Sequence, residues 1–228
     1  MDNVSIIIKK QFRDTLKNKT VLVQFVMFPA MTLIMENAIK LEGMPEHFFS
    51  KLFSVMYIGM APLTAAASII SEEKEKNTLR VLLMANVKPW EYLLGISVYV
   101  WLLCMMGAAV ISMSLPHSDI PFYLMMMGAG FIISILAGSC IGIYSKNQMM
   151  CTSLVMPFMM ILSFSPMLAA FNDNIEKVAR FFYTQQMKVA FDSMNFEGIG
   201  KAGLAVITVN ALLALVLFFI TFGKKGLE

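Results

Sequence analysis

The chain has 228 residues, of which 58% are hydrophobic and 14% are charged, and its formal net charge is +3. Soluble domains carry charge on about a quarter of their residues, so this composition indicates a polytopic membrane protein. Six spans would use about 120 residues, so we expect no separate soluble domain among the rest. The small net charge argues against nucleic-acid binding. Cys104, Cys140 and Cys151 lie in apolar segments without metal-ligand spacing, and we expect them to be buried, reduced thiols.

The first predicted element is an amphipathic basic helix over residues 2–19. Ile8, Phe12 and Leu16 recur at four-residue spacing, and basic residues cover the other faces. Such a helix suits the headgroup layer of an anionic leaflet. The alternative is a charged flank that only holds the first span in place.

Six apolar segments follow, each long enough to cross a bilayer, which takes about 20 mostly apolar residues per helix. They cover residues 20–39, 51–70, 89–115, 122–144, 149–171 and 202–222. We expect Pro29 to kink the first span, and Gly43 and Pro45 to mark a turn in the loop after it. In the fourth span, Ser134, Gly138 and Gly142 recur at four-residue spacing and predict a close-packing seam.

The loop over residues 71–88 is predicted to be a docking surface. It opens with five consecutive charged residues, Glu72, Glu73, Lys74, Glu75 and Lys76. We expect Ser71 to cap a short helix with Glu72 and Glu73 in its first turn, where carboxylates complement the helix dipole. Asn77 and Thr78 would break that helix and cap the next one. An apolar ridge would then rest on the bilayer or fill a groove, and it comprises Leu79, Leu82 and Leu83. The alternative is a solvated charged loop.

An outer hairpin is predicted over residues 172–200, before the last span. Its apolar residues follow two helical faces, which indicates two short helices lying at, or dipping into, the outer interface. The faces are Ile175, Val178, Ala179 and Phe182, then Met187, Ala190, Phe191 and Met194.

The distribution of basic residues predicts the orientation, because Lys and Arg are enriched in cytoplasmic segments. With the N-terminus inside, twelve of the eighteen fall in inner segments: Lys9, Lys10, Arg13, Lys17, Lys19, Lys74, Lys76, Arg80, Lys88, Lys146, Lys224 and Lys225. We therefore expect both termini and the 71–88 loop to be cytoplasmic.

No catalytic constellation, metal site or P-loop is apparent, and His47 and His117 both fall in outer turns. Ion-coupled carriers usually place carboxylates at mid-membrane, whereas Glu36 and Glu91 lie near span ends. We therefore expect the chain to be no enzyme by itself and to bind no cofactor. Uphill transport would draw its energy from another subunit. A motor-free channel or secondary carrier is the competing class, and a membrane enzyme would need paired polar catalysts near an interface.

Residues 71–95 read SEEKEKNTLRVLLMANVKPWEYLLG and resemble the signature of ABC-2 type transporter permeases. Asn77 stands where that family usually has Gly, and Ile96 stands where a basic residue often follows Gly95. The elements that carry the resemblance are the acidic-acidic-basic-acidic run, Asn77-Thr78-Leu79, Leu82-Leu83, Val87-x-Pro89 and Glu91-x-Leu93-Leu94-Gly95.

The resemblance implies an all-α membrane fold of six spans with an interfacial helix, a coupling helix in the 71–88 loop and a short outer hairpin. It also implies that the coupling helix sits in a cleft of a separate ATPase subunit, which binds ATP and magnesium. Two ATPase copies would serve two permeases, the second being another copy or a paralogue.

The family transports many substrates, and the abundance of Met, with 22 residues, favours an amphipathic peptide or a hydrophobic drug. The alternative for these Met residues is lipid-facing filler. The chain resembles small bacterial exporters such as those of phenol-soluble modulins, and other members export lipids or ions. We expect a substrate path along Met56, Met60, Met149, Met156, Phe158, Met160 and Phe164, and an outer gate formed by Phe181, Phe182 and Tyr183.

Overall fold

The computed structural model describes residues 2–17, 19–39 and 45–225, and over these residues the chain is helical with no strand. The turn signal Gly43 lies outside the described residues. The helices of the described ranges are α1 Asp2–Lys17, α2 Lys19–Ala38, α3 Phe48–Glu75, α4 Thr78–Met84, α5 Pro89–Ser112, α6 Ile120–Tyr144, α7 Gln148–Ala169, α8 Asp173–Ala179, α9 Tyr183–Ser193 and α10 Phe196–Lys225. The predicted all-α class is confirmed.

Five of the described helices, α3, α5, α6, α7 and α10, are long and apolar enough to cross a membrane. The first predicted span falls on α2, in which Phe25–Ala38 forms a shorter apolar stretch and Pro29 is buried. The arrangement of six spans stays a prediction.

Helix α3 lies at the centre of the bundle, and α10 lies at its edge. Within the apolar stretch of each helix, 83% of the α3 residues but only 11% of the α10 residues are buried inside the protein. The middle of α3 is rich in small residues, which allow neighbouring helices to approach closely. The exposed face of α10 carries Leu, Val and Phe side chains that suit a hydrocarbon environment.

The predicted seam on α6 is confirmed, because it packs directly on α3. Ser134 Oγ donates a hydrogen bond of 2.6 Å to the carbonyl oxygen of Ile58. A Cβ added to Gly138 would overlap the carbonyl oxygen of Leu63. One turn further along, a Cβ on Gly142 would lie 2.9 Å from Ile70 Cβ. These positions accept only small residues because two helix backbones meet there.

Helix α1 packs on α5 through a face that the sequence pattern did not single out. Ile7, Gln11 and Thr15 are buried at four-residue spacing, and a Cβ on Gly95 would lie 2.8 Å from Ile7 Cγ2. Phe12, which belongs to the predicted apolar stripe, is half exposed. The side chains of Leu16, Lys17 and Lys19 lie outside those described. One face of α1 therefore packs against the protein, and the opposite face is exposed.

Helix α10 runs parallel to α6. The rings of Phe122 and Phe196 lie 5.0 Å apart near the start of both helices, and Cys140 Sγ lies 3.9 Å from the carbonyl oxygen of Ala214 towards their ends. Gly200 interrupts the first turns of α10 with φ 64 and ψ 172. The C-terminal end of α10 therefore points the same way as that of α6, towards the end of the bundle that carries α4, called the α4 end below.

Candidate coupling site

The prediction that Ser71 caps a separate short helix is wrong. Residues 71–75 continue α3 and form its last turns, and Ser71 is fully buried with its hydroxyl donating to the carbonyl oxygen of Ser68 over 3.1 Å. No helix-breaking residue separates the apolar span from the charges that follow, so the helix continues. Glu72 and Glu73 therefore lie at the C-terminal end of a helix, where the dipole does not favour carboxylates.

The break between α3 and α4 falls at Asn77, as expected. Asn77 has φ 55 and ψ 11, in the left-handed region that Gly and Asn enter at least cost. This conformation explains how Asn replaces the Gly that the resembling family usually has here. Asn77 occupies the predicted N-cap position of α4, but its side chain makes no capping hydrogen bond there.

Three consecutive residues at the end of α3 contact three other helices. Glu73 is buried and accepts hydrogen bonds from Lys10 Nζ and, over 2.6 Å, from Gln11 Nε2, both on α1. Lys74 Nζ donates a hydrogen bond of 2.7 Å to the carbonyl oxygen of Ile143, near the end of α6. Glu75 Oε2 accepts a hydrogen bond of 2.7 Å from the backbone N–H of Gln148, the first residue of α7.

The contacts of Lys74 and Glu75 follow the helix dipoles. The last carbonyl groups of α6 and the first N–H groups of α7 have no partners within their own helices. A cation at a helix C-terminus and a carboxylate at a helix N-terminus are each stabilising by about 0.3–1 kcal/mol. Asn147 completes the start of α7, because its side chain accepts from Met150 N over 2.9 Å. We call Glu73, Lys74 and Glu75 the α3 hub.

The remaining two charges of the run pair with each other at the surface. Lys76 donates a hydrogen bond to Glu72, one helical turn away. The Glu72 carboxylate raises the pKa of Lys76 above its ordinary value. The five charges thus differ in their surroundings, and three of them make contacts inside the protein. The ATPase-coupling role of this run stays a prediction.

Helix α4 turns its leucines inward. Leu79 is 1% exposed, and Leu82 and Leu83 are partly buried against the core. Leu79 therefore does not belong to a ridge for the bilayer or a groove elsewhere, because it anchors α4 in its own protein. For Leu82 and Leu83, which are partly exposed, the ridge stays a prediction. The exposed side of α4 carries Val81, which is 63% exposed, and Met84, which is 78% exposed.

A groove of about 770 Å³ separates α4 from the α6–α7 turn. Its lining includes Lys74, Asn77, Leu79, Arg80, Leu83, Met84 and Lys146. Sequence reasoning singled out neither Arg80 nor Lys146 for this site. The only signal was their shared place among the basic residues of the inner segments, because nothing in the sequence pattern indicates that the two segments meet.

The two carboxylates expected near span ends are there, and each serves a helix N-terminus. Glu91 accepts from Lys88 N over 3.0 Å and from Asn3 Nδ2 over 2.9 Å, which ties α1 to the start of α5. Glu36 accepts from the N–H and the hydroxyl of Ser50, both over 3.0 Å, in the first turn of α3. Both carboxylates therefore have structural partners.

The predicted path residues do not share one environment. Met56 is buried in the core, and Met60 and Phe164 are partly buried. The other four lie on α7 and are more than half exposed: Met149, Met156, Phe158 and Met160. The substrate path stays a prediction.

The predicted gate residues also point in different directions. Phe181 is 60% exposed, with the guanidinium carbon of Arg180 4.9 Å from its ring centre. Phe182 is partly buried. Tyr183 is buried, and its hydroxyl lies 2.7 Å from Ser134 Oγ on α6. The gate stays a prediction.

These features define a helical membrane protein in which the short helix α4 is fixed at one end of the bundle. A family model described as "ABC-2 family transporter protein" matches residues 2–223, so the chain belongs to the ABC-2 family of transporter proteins. The resemblance of residues 71–95 to ABC-2 permeases is confirmed, and the chain is a permease component of an ABC transporter. Membership implies partnership with an ABC ATPase subunit. A search of curated proteins found no match.

Proposed function

We propose that the chain is the membrane subunit of an ATP-driven exporter and that α4 docks on the ATPase subunit. The carrying observation is the two-sided packing of α4. Leu79 anchors it in the core, whereas Val81 and Met84 are exposed beside the charged residue Arg80. Exposed apolar side chains with a polar surround are typical of a protein contact surface.

The α3 hub supports a mechanism for transmission. ATP and magnesium bind in two ATPase subunits, whose closure moves α4 of each permease copy. Because α4 follows directly on α3, and Glu73, Lys74 and Glu75 bind α1, α6 and α7, a displacement of α4 reaches three further helices. Helices α3 and α7 of two permeases, identical or paralogous, then reshape a central apolar path that Phe181, Phe182 and Tyr183 close on the outside.

The exposed side of α7 supports an amphipathic peptide or a hydrophobic drug as substrate. Met149, Met156 and Met160 lie along one face of α7, and Met side chains adapt to varied apolar partners. Export of a lipid or an ion by the same machinery is the alternative within the family.

We place the protein in the bacterial cytoplasmic membrane with both termini in the cytoplasm. The supporting observations are the bias of basic residues and the position of α1, α4 and the C-terminal end of α10 at the α4 end of the bundle.

The docking role of α4 predicts that a carboxylate on its exposed face prevents the ATPase subunit from binding. Val81→Glu and Met84→Glu should each prevent co-purification of the ATPase subunit and abolish substrate-stimulated ATP hydrolysis, because an apolar contact would bury a charge. Met113→Glu is the matched control, since Met113 is 77% exposed beyond the end of α5. ATPase recovery and activity equal to wild type in both α4 variants would refute the docking role.

A further inference from the structure

The groove between α4 and the α6–α7 turn is basic. Lys74, Arg80 and Lys146 are among the residues that line it, and no carboxylate is among the described lining residues. Two acids next to Lys74 in the sequence run are engaged elsewhere: Glu75 accepts from the N-terminus of α7, and Glu72 pairs with Lys76. The positive charge of the groove is therefore not balanced by acids in its own lining.

We propose that this groove receives an acidic segment of the ATPase subunit, whose carboxylates bind Arg80 and Lys146. The inference rests on the proposed function and adds the chemistry of the partner. Arg80 and Lys146 are both exposed, whereas the Lys74 ammonium donates to the carbonyl oxygen of Ile143. Arg80 and Lys146 are therefore the side chains that present charge to a partner.

The size and composition of the groove favour a peptide segment over a single ion. Its volume of about 770 Å³ lies within the range of about 300–1,000 Å³ that holds drug-sized ligands. Apolar atoms of Leu83 and Met84 line it beside the cations. An acidic segment with an apolar side chain satisfies both kinds of surface, since charge complementarity sets register and specificity in protein contacts.

The two cations belong to elements that only the fold brings together. Arg80 lies on α4, and Lys146 lies on the α6–α7 turn. Helix α4 follows α3 in the chain, whereas the α6–α7 turn is held to the end of α3 by the hydrogen bonds of Lys74 and Glu75. A partner segment that contacts both cations therefore grips α4 and the α6–α7 turn together. The ATPase would then move α6 and α7 directly as well as through α4.

The test measures the Kd between the permease and its ATPase subunit, which is first identified as the ATPase that co-purifies with the wild-type chain. The permease is held in nanodiscs that contain phosphatidylcholine alone. Arg80→Glu and Lys146→Glu should each weaken the Kd by about tenfold, mainly through slower association. Lys224→Glu is the control reversal, because Lys224 is exposed near the end of α10 and lies outside the groove lining. Its Kd should stay within about twofold of wild type.

A second variant pair separates charge loss from misfolding. Arg80→Gln and Lys146→Gln should give intermediate affinities, and raising the salt concentration should bring wild type and reversed variants closer together. Replacing an acidic residue of the ATPase by Lys should restore binding to Lys146→Glu or Arg80→Glu, and rescue of either variant by such a reversal supports the proposal.

Two results would overturn the inference. If Arg80→Glu and Lys146→Glu bind the ATPase as tightly as wild type while Val81→Glu, which lies outside the groove lining, does not, α4 docks and the groove does not take part. If the Kd of Arg80→Glu and Lys146→Glu differs from that of wild type only in nanodiscs that contain phosphatidylglycerol, the groove holds a lipid headgroup. Failure of the ATPase to bind wild type at all would instead overturn the proposed function itself.

Discussion

Glu73 and Glu72 are neighbours in the sequence, but their environments are opposite. Glu73 is 7% exposed and accepts from two side chains of α1, whereas Glu72 pairs with the exposed Lys76. A buried carboxylate is tolerated only when hydrogen bonds and opposite charge compensate for its desolvation. The sequence pattern assigned both residues the same docking role. It could not distinguish them, because the burial of Glu73 depends on where α1 packs in the folded protein.

This difference predicts unequal costs for removing the two charges. Glu73→Ala should destabilise the protein by about 1–3 kcal/mol, since it leaves Lys10 and Gln11 without their buried partner. Glu72→Ala should cost less than about 1 kcal/mol, as for other surface pairs. Thermal unfolding in detergent at constant pH measures both. Equal melting temperatures for the two variants would contradict the assigned environments.

Asn77 gives a second prediction at the residue scale, because its backbone is left-handed. Asn77→Gly should keep or slightly raise the melting temperature, whereas Asn77→Ala should cost about 1–2 kcal/mol, because Ala lacks the short polar side chain that lets Asn enter this conformation. Thr78→Ala, at the first position of α4, controls for changes in the same turn. A stable Ala variant at position 77 would show that the turn adopts another conformation.

Among the elements, a close-packing seam on α6 was predicted from spacing alone, and the structure contains it where α6 packs on α3. Small residues four positions apart report directly on a close helix contact, because any larger side chain meets the opposing backbone. What the spacing did not specify is the partner helix. That depends on which helix presents its own small residues and carbonyl groups, as α3 does at Leu63 and Ala67.

The seam predicts that its glycines resist even small additions. Gly138→Ala should destabilise the protein by about 1–3 kcal/mol, because the added methyl group forces α6 away from the Leu63 carbonyl oxygen. Gly223→Ala is the matched control, since a Cβ at Gly223 meets nothing within 4 Å, and it should be neutral or stabilising by about 0.5–1 kcal/mol. Unfolding in detergent compares the two. A neutral Gly138→Ala variant would contradict the packing.

The elements around the docking loop were predicted less well than the spans. Apolar runs mark where helices cross the membrane, but α3 continues past its apolar run to Glu75 because helix formation needs no apolar residues. Leu79 was expected at a surface and is buried. The partners of Glu73 and Glu75 are 63 and 73 residues away in the sequence, so only the packing of the whole bundle could reveal them.

At the scale of the whole molecule, one buried helix connects the α4 end to the interior. Helix α3 packs against α6 along its length and carries α4 at its end, and the α3 hub attaches α1, α6 and α7 to the same point. A force applied at α4 is thereby shared among helices that start or end nearby. This arrangement fits the proposed role of a membrane subunit that a separate ATPase drives.

The central claim is that this chain is driven by an ATPase subunit docked at α4. Affinity purification from native membranes, with mass spectrometry of the retained proteins, tests it most directly. The account predicts a P-loop ATPase in equal amounts with the chain, retained by wild type and by Met113→Glu but lost from Met84→Glu. A chain that purifies alone, and conducts or exchanges solutes without ATP, would contradict the claim and identify a channel or secondary carrier.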